Sequence, residues 1–138
     1  MTRINLVDPS ELSDQHLVAE YREIFMVGSS LQRSLKSKNW EKTLANIPKK
    51  YTLNKGHVTF FYNKGKYLYK RYDLLINEMK NRGMNPNSDR TFKIEQWPKE
   101  LFNDWKPETE DYKIIRARIK EKIEMKPDWY RFTPLVNK

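Results

Sequence analysis

The sequence predicts an all-α protein, a compact single domain of three helices with long irregular loops, spanning residues 1–138. Three observations carry this prediction. Apolar residues recur at helical spacing in three separate segments. Strand signals are weak, because His57–Tyr62 is the only β-like run and it is isolated. A chain of 138 residues is also long enough to bury one hydrophobic core.

The first helix is expected to begin near Asp8 or near Ser13 and to end at about Leu35. At the earlier start Asp8 could cap the helix, Pro9 suits the first turn and Glu11 lies three residues on. The apolar stripe of this helix consists of Leu17, Tyr21, Ile24, Leu31 and Leu35.

Two further helices follow the same periodicity. Gly83 is expected to end the second one, because glycine readily adopts the left-handed conformation of a helix C-terminus. The third opens with acidic residues, which a helix N-terminus favours, and ends before Pro127. The second helix has an apolar face of Leu68, Tyr72, Leu75 and Met79. The third has one of Tyr112, Ile115, Ile119 and Ile123. Long polar connections, roughly 39–62 and 84–107, separate the helices, and loops of this length tend to be functional.

The charge of the chain is positive and unevenly distributed. The sequence has 27 Lys+Arg against 18 Asp+Glu, a net charge of +9. Between residues 42 and 72, eight basic residues occur with no acidic residue among them, and seven aromatic residues are interleaved. Cations neutralise phosphates and aromatic rings stack on bases, so nucleic acid is the favoured partner. Taken singly, each aromatic residue is more readily explained as part of the core.

The composition excludes several other classes of protein. Without cysteine there can be no disulfide scaffold, thiol nucleophile or Cys zinc site. Two histidines, His16 and His57, give no reason to expect a His-based zinc site. No apolar run approaches the roughly 18 residues of a membrane span, and no signal peptide opens the chain. We therefore expect a cytoplasmic protein that uses no metal.

The start of the chain offers a candidate nucleophile. Removal of the initiator Met1, which a small second residue permits, would leave Thr2 with a free α-amine. At pH 7 about 10% of such an amine is neutral, against about 0.04% of an unperturbed lysine. Neighbouring Arg3 would lower the pKa of the amine further. A neutral amine can attack a sugar C1′ to form an iminium, after which β-elimination cuts the strand. Met-Thr starts are common, however, so the start alone does not establish this chemistry.

The first helix offers partners for that amine. At 100° per residue, His16, Glu20 and Glu23 fall within about 60° of one another, away from the apolar stripe. Gln15 and Arg22 lie on the adjoining polar face. A carboxylate can stabilise an iminium and take up a proton, and an arginine can hold a phosphate. The alternative is an ordinary solvated helix face.

The C-terminal part carries a second candidate surface. Arg118 and Lys122 are spaced i,i+4, which makes a basic ridge that could contact successive phosphates. Trp129 and Tyr130 could stack on a base. The alternative is a terminal segment docked on the core.

Several blocks of the chain match one known family in order. They are Met1–Leu6, Glu11–Leu12, Asp14–Leu17, Ala19–Glu23, Gly56–Tyr62, Lys70–Arg71, Arg82–Gly83, Pro127 and Trp129–Tyr130. With these residues the chain resembles the pyrimidine-dimer DNA glycosylase/AP lyase family of T-even bacteriophages, the phage endonuclease V. The resemblance covers nearly the whole chain.

The resemblance implies roles for individual residues. In that family the α-amine of the residue matching Thr2 attacks C1′ of the 5′ nucleotide of a cyclobutane dimer. The glutamate matching Glu23 stabilises the iminium and assists proton abstraction for β-elimination. Residues matching Arg3 and Arg22 contact DNA around the lesion. Those matching Gln15 and His16 lie beside the site.

The resemblance also implies a compact domain of three helices without a metal or organic cofactor. The expected partner is double-stranded DNA containing UV-induced pyrimidine dimers or abasic sites, bound by a monomer in a bacterial or phage-infected cell. The family kinks the duplex and expels the adenine opposite the dimer into a protein cavity, a form of base flipping.

Two stretches depart from the family pattern. Where the phage sequence continues Leu-Pro-Arg after the Arg-Glu pair, this chain has Ile24-Phe25-Met26, so a DNA-contacting cation is absent at Met26. Arg33, about two turns further on, is a candidate to substitute in part. The segment after the Trp-Tyr pair, Arg131–Pro134, also differs.

Two alternatives to a dimer glycosylase stay open at the level of the sequence. One is a glycosylase/lyase for abasic sites or other damaged bases, with little preference for dimers. The other is a non-enzymatic basic protein that binds DNA or RNA.

Overall fold

The computed structural model describes residues 3–86 and 88–135, and within these ranges the regular structure is helical, with no strand. The α-helices are α1 (Asp14–Leu35), α2 (Trp40–Ala45), α3 (His57–Phe60), α4 (Gly65–Asn81) and α5 (Thr109–Met125). Short 3-10 turns span Pro9–Glu11, Phe61–Asn63, Ile94–Gln96 and Lys99–Leu101. The predicted all-α class is confirmed. The predicted number of three helices is too low, because the short helices α2 and α3 accompany the three long ones.

The later of the two predicted starts for α1 is the one observed. Ser13 is the N-cap, and its Oγ accepts the backbone N–H of His16 at 3.1 Å. Asp8 instead caps the preceding 3-10 turn, where its carboxylate accepts the N–H of Ser10 at 2.9 Å. The predicted end at Leu35 is confirmed.

The C-terminus of α4 and the N-terminus of α5 follow the signals predicted from the sequence. Gly83 adopts a φ of 84°, just past the last turn of α4, and its N–H donates to the carbonyl of Lys80. At the start of α5 the side chains and backbones of Glu108 and Asp111 cap each other reciprocally. This arrangement satisfies backbone N–H groups that the helix itself leaves without partners.

The β-like run His57–Tyr62 is helical, forming α3 and the 3-10 turn after it. The consecutive rings of Phe60 and Phe61 are both fully buried. A half-exposed strand would send successive side chains to opposite faces and could not bury both on one side. Packing against α1 therefore overrides the strand propensity of these residues.

The core lies between α1 and α4, which make the most extensive helix–helix contact. Leu17 and Ile24 of α1 meet Leu68 and Leu75 of α4, and all four are fully buried. An aromatic cluster extends the core towards the loops and contains Tyr51, Phe60, Phe61, Tyr67 and Trp105. Of the seven aromatic residues of the basic stretch, four lie in the core and three, Tyr67, Tyr69 and Tyr72, are partly buried against it, which agrees with the expectation for each taken singly.

The basic stretch 42–72 is not a single DNA-facing surface. Arg71 is buried and forms an ion pair with the fully buried Glu20, whose carboxylate lies 2.6 Å from Arg71 Nε. Lys64 is half-buried, and its ammonium donates to the carbonyl of Phe60 at 2.9 Å. Lys70 forms an ion pair with Asp104, which lies in a loop. The exposed cations of the stretch are Lys42, Lys49, Lys50, Lys55, Lys66 and Lys70.

No helix within 3–86 and 88–135 combines the length and the apolarity that crossing a membrane demands.

Candidate functional site

A cavity of about 250 Å³ opens between the N-terminal segment, α1, α5 and the chain that follows α5. Four separate parts of the sequence meet there. The residues predicted from the sequence that line it are Arg3, Gln15, His16, Arg118, Lys122, Trp129 and Tyr130. The fold therefore brings together two groups of candidates that lie about a hundred residues apart in the chain.

Cations dominate one side of the cavity. Arg118 and Lys122, one turn apart on α5, both line it, and Arg3 lies near enough to interact with Arg118 electrostatically. Burial and the charge of Arg118 lower the pKa of Arg3, while Glu23 acts in the opposite direction. The Nε of Arg3 donates to the carbonyl of Leu53 at 2.6 Å. This side of the cavity is suited to a phosphate backbone.

His16 and Tyr130 form an aromatic wall of the cavity. Their rings stack with centroids 4.8 Å apart and planes 9° from parallel. Ser13 Oγ lies 2.8 Å from His16 Nδ1 and fixes the imidazole. Burial, with a further contribution from Arg118, lowers the pKa of His16, so the ring is neutral at pH 7. Trp129 is more than half exposed beside this wall.

Gln15 uses its amide to hold the chain that follows α5. Its Nε2 donates to the carbonyl of Trp129 at 2.6 Å, and its Oε1 accepts the N–H of Arg131 at 3.0 Å. The backbone N–H of Asp14 donates to the carbonyl of Arg131 at 2.6 Å. These contacts place Trp129 and Tyr130 against α1.

Glu23 and Arg22 lie further along α1. Glu23 is buried, and this burial raises the pKa of its carboxyl, although Arg3 opposes part of the rise. Arg22 is exposed and lines a neighbouring groove together with Gln15 and Trp129. Thr2, the predicted nucleophile, lies outside the described residues.

One polar residue that lines the cavity was not predicted, and the prediction for Glu20 was wrong. Asn5 lines the cavity and is buried, and within the part of the chain that the structure describes its Nδ2 has no hydrogen-bond partner. Glu20 was expected on the polar face of α1 but lies in the core, where it accepts the backbone N–H of Asn5 at 3.0 Å. The buried partner of Glu20 is Arg71, which lies 51 residues further along the chain. The position of Glu20 on the helix gives no sign of so distant a partner.

A family model described as pyrimidine dimer DNA glycosylase matches residues 1–92, two-thirds of the 138-residue chain. The match includes α1 with Glu23 as well as α4, and it stops before α5. The α5 cations and the aromatic pair after α5 thus come to the site from outside the matched range. The chain belongs to the pyrimidine dimer DNA glycosylase family, and it is a DNA repair glycosylase whose substrate is DNA.

Proposed function

We propose that this protein cleaves the N-glycosidic bond of the 5′ base of a cyclobutane pyrimidine dimer through a Schiff base with the Thr2 α-amine and then nicks the strand by β-elimination. The observation that supports this proposal best is the buried carboxylate of Glu23, whose charge interacts with that of Arg3, a residue that lines the cation-rich cavity. Arg3 is the residue next to Thr2 in the chain, which supports a shared site for the carboxylate and the amine.

The proposed reaction begins with attack of the neutral amine on C1′. The bond from C1′ to the base nitrogen breaks and its electron pair stays on that nitrogen, which takes up a proton, while the base remains joined to its 3′ neighbour by the cyclobutane ring. The attacking nitrogen loses a proton, and the C1′–O4′ bond then breaks with its electron pair going to O4′, which is protonated, so that an iminium forms between the amine nitrogen and C1′. Removal of a proton from C2′ then expels the 3′ phosphate, and water hydrolyses the imine to release the enzyme.

Glu23 is suited to two of these steps. As a carboxylate it stabilises the positive iminium, and in a buried site this interaction is stronger than in water. Because burial raises the pKa of its carboxyl, Glu23 is also a better proton acceptor than an exposed glutamate. Arg3, Arg118 and Lys122 would hold phosphates around the lesion while the reaction proceeds.

Trapping with borohydride tests this proposal. Protein whose intact mass shows that Met1 is absent is incubated with a dimer-containing duplex and sodium borohydride, which reduces the imine to a stable amine. We expect a covalent protein–DNA adduct, and Glu23→Gln should lower the cleavage rate by about 10²-fold or more. Glu41→Gln, which changes an exposed glutamate on α2, is the matched control and should cleave normally.

The other readings give different results in the same assay. Equal rates on dimer and abasic duplexes would identify a general glycosylase/lyase without dimer preference. Tight binding with neither adduct nor cleavage would identify a binding protein and overturn the proposal, as would full cleavage by Glu23→Gln.

A further inference from the structure

The N-terminal segment 4–7 is held by side chains from distant parts of the chain. Ile4 is anchored at both of its backbone polar groups. Its N–H donates to Nε2 of His57 at 2.9 Å, and its carbonyl accepts the hydroxyl of Tyr51 at 2.7 Å. His57 and Tyr51 are themselves buried. A buried backbone segment without strand neighbours needs such partners for its polar groups.

The hydrogen bonds of His57 fix which ring nitrogen carries the proton. Nδ1 lies 2.7 Å from the carbonyl of Thr52, so Nδ1–H donates there and Nε2 is left as the acceptor for Ile4. Burial lowers the pKa of His57 to about 4, which keeps this neutral form at physiological pH. The imidazole is therefore a fixed bridge between the 51–57 loop and Ile4.

The next residues are tied to the helix that carries Glu23. Asn5 N–H donates to Oε1 of Glu20, which lies one turn before Glu23 on α1. Arg71 donates to the carbonyls of Leu6 and Val7 and to the same carboxylate. Leu6 adopts a φ of 60°, a conformation that costs a non-glycine residue about 1 kcal/mol and so requires support from its surroundings.

We propose that Tyr51 and His57 are positioning residues that hold the Thr2 amine at the site, which they do by anchoring Ile4. Thr2 is two residues from this anchor, so at the extended-chain length its amine stays within about 7 Å of it. Glu20 fixes the neighbouring peptide relative to Glu23. This inference rests on the proposed nucleophilic role of Thr2.

The first test uses a pair of matched tyrosine variants. Tyr51→Phe removes the hydroxyl that binds the Ile4 carbonyl but keeps the buried ring. Tyr62→Phe is the control, since it removes the hydroxyl of an equally buried tyrosine, which bonds to Ser30 and Ser34 on α1, away from segment 4–7. The readouts are the single-turnover rate of borohydride trapping on a saturating abasic duplex, and the Kd for the same DNA.

We expect Tyr51→Phe to trap about tenfold more slowly than the wild type, since small displacements of a nucleophile have large effects on rate. Its Kd should be unchanged, and Tyr62→Phe should trap at the wild-type rate. Equal trapping rates for the two variants would overturn the inference. They would show that losing the hydroxyl bound to Ile4 has no more effect on trapping than losing a tyrosine hydroxyl elsewhere in the fold.

The second test exchanges the acceptor on His57. In His57→Gln the amide oxygen can replace Nε2 as acceptor for the Ile4 N–H, whereas His57→Leu offers no acceptor. We expect the glutamine variant to recover most of the trapping rate and the leucine variant to lose it. Equal rates of trapping in two folded variants would contradict the inference. If the leucine variant fails to fold, the tyrosine pair decides the question.

The wild type separates the two proposals. If wild-type protein beginning at Thr2 forms no adduct, the proposed chemistry itself fails. If the wild type forms an adduct and Tyr51→Phe traps equally fast, only the positioning role fails.

Discussion

Residues that look alike in the sequence have different tasks in the structure. Arg71 and Lys122 both stand in basic surroundings, yet Arg71 is buried against Glu20 whereas Lys122 lines the cavity. Gln15 lies at the site but uses both ends of its amide on the chain that follows α5. DNA binding should therefore depend on a few cavity-lining cations rather than on the total charge of +9.

At this scale we predict that Lys122→Ala weakens DNA binding through loss of one phosphate contact. The slope of log K against log salt concentration should become shallower by about 1. Salt titrations followed by fluorescence anisotropy measure this slope. Lys113→Ala is the matched control, since Lys113 lies nine residues earlier on α5 and so faces about 180° away. The same slope in Lys122→Ala as in the wild type would exclude Lys122 from phosphate binding.

Among the elements, the segment that follows α5 shapes the site although it has no regular structure. Residues 129–133, here termed the C-terminal strap, run along the first turn of α1. Asp14 accepts the N–H of Thr133 at 3.1 Å and also pairs with Arg82, which is buried beside α4. Asp14 thereby contacts both the strap and the end of α4, and the strap carries Tyr130 to its stacking position on His16.

We predict that Gln15→Leu loosens the C-terminal strap without unfolding the protein. It removes two hydrogen bonds that contribute about 1 kcal/mol each, so the Arg131 amide should exchange its hydrogen roughly tenfold faster or more. Hydrogen exchange read by NMR or mass spectrometry measures this. In the control Gln32→Leu, a glutamine on the same helix loses its bond to the carbonyl of Gln96. That variant should leave hydrogen exchange in the strap unchanged. Unaltered exchange at Arg131 in Gln15→Leu would show that the two hydrogen bonds of Gln15 do not hold the strap in place.

Over the whole molecule, buried polar groups link the N-terminal segment to the core, and one of them makes stability depend on pH. Folding lowers the pKa of His57 from 6.5 to about 4, so between these values the unfolded chain binds more protons than the folded one. The contribution of neutral His57 to the free energy of unfolding is fully present above pH 6.5 and is lost as the pH falls towards 4. This contribution is about 3 kcal/mol.

We therefore predict that the free energy of unfolding falls between about pH 6.5 and pH 4, and that His57→Gln flattens this decline. Urea unfolding at several pH values in this window measures both. His16, whose pKa is also lowered, is present in both proteins, so the difference between their slopes isolates His57. Parallel slopes would show that His57 titrates normally.

The features predictable from the sequence were those with a local period. α1, α4 and α5 each carry a stripe of apolar residues over several turns, whereas α2 and α3 have six and four residues, too few to establish a period. The pairing of Glu20 with Arg71 and of Ile4 with His57 could not be predicted, because contacts across about 50 residues leave no pattern in a single sequence. Seven of the predicted site residues line one cavity, and their convergence there depends on how α5 and the C-terminal strap dock on α1, which the sequence alone does not reveal.

The anchoring of Ile4 has a consequence for the order in which the protein assembles. Its partners Tyr51 and His57 lie 47 and 53 residues further along the chain, and Arg71 lies 65 residues beyond Leu6. Closing such long loops is slow compared with forming a helix, so we expect these contacts to form late in folding. Segment 4–7 is synthesised first and is expected to be secured among the last. Its hydrogen bonds to Tyr51, His57 and Arg71 exist only once these distant parts have come together, so a newly made or misfolded chain lacks them.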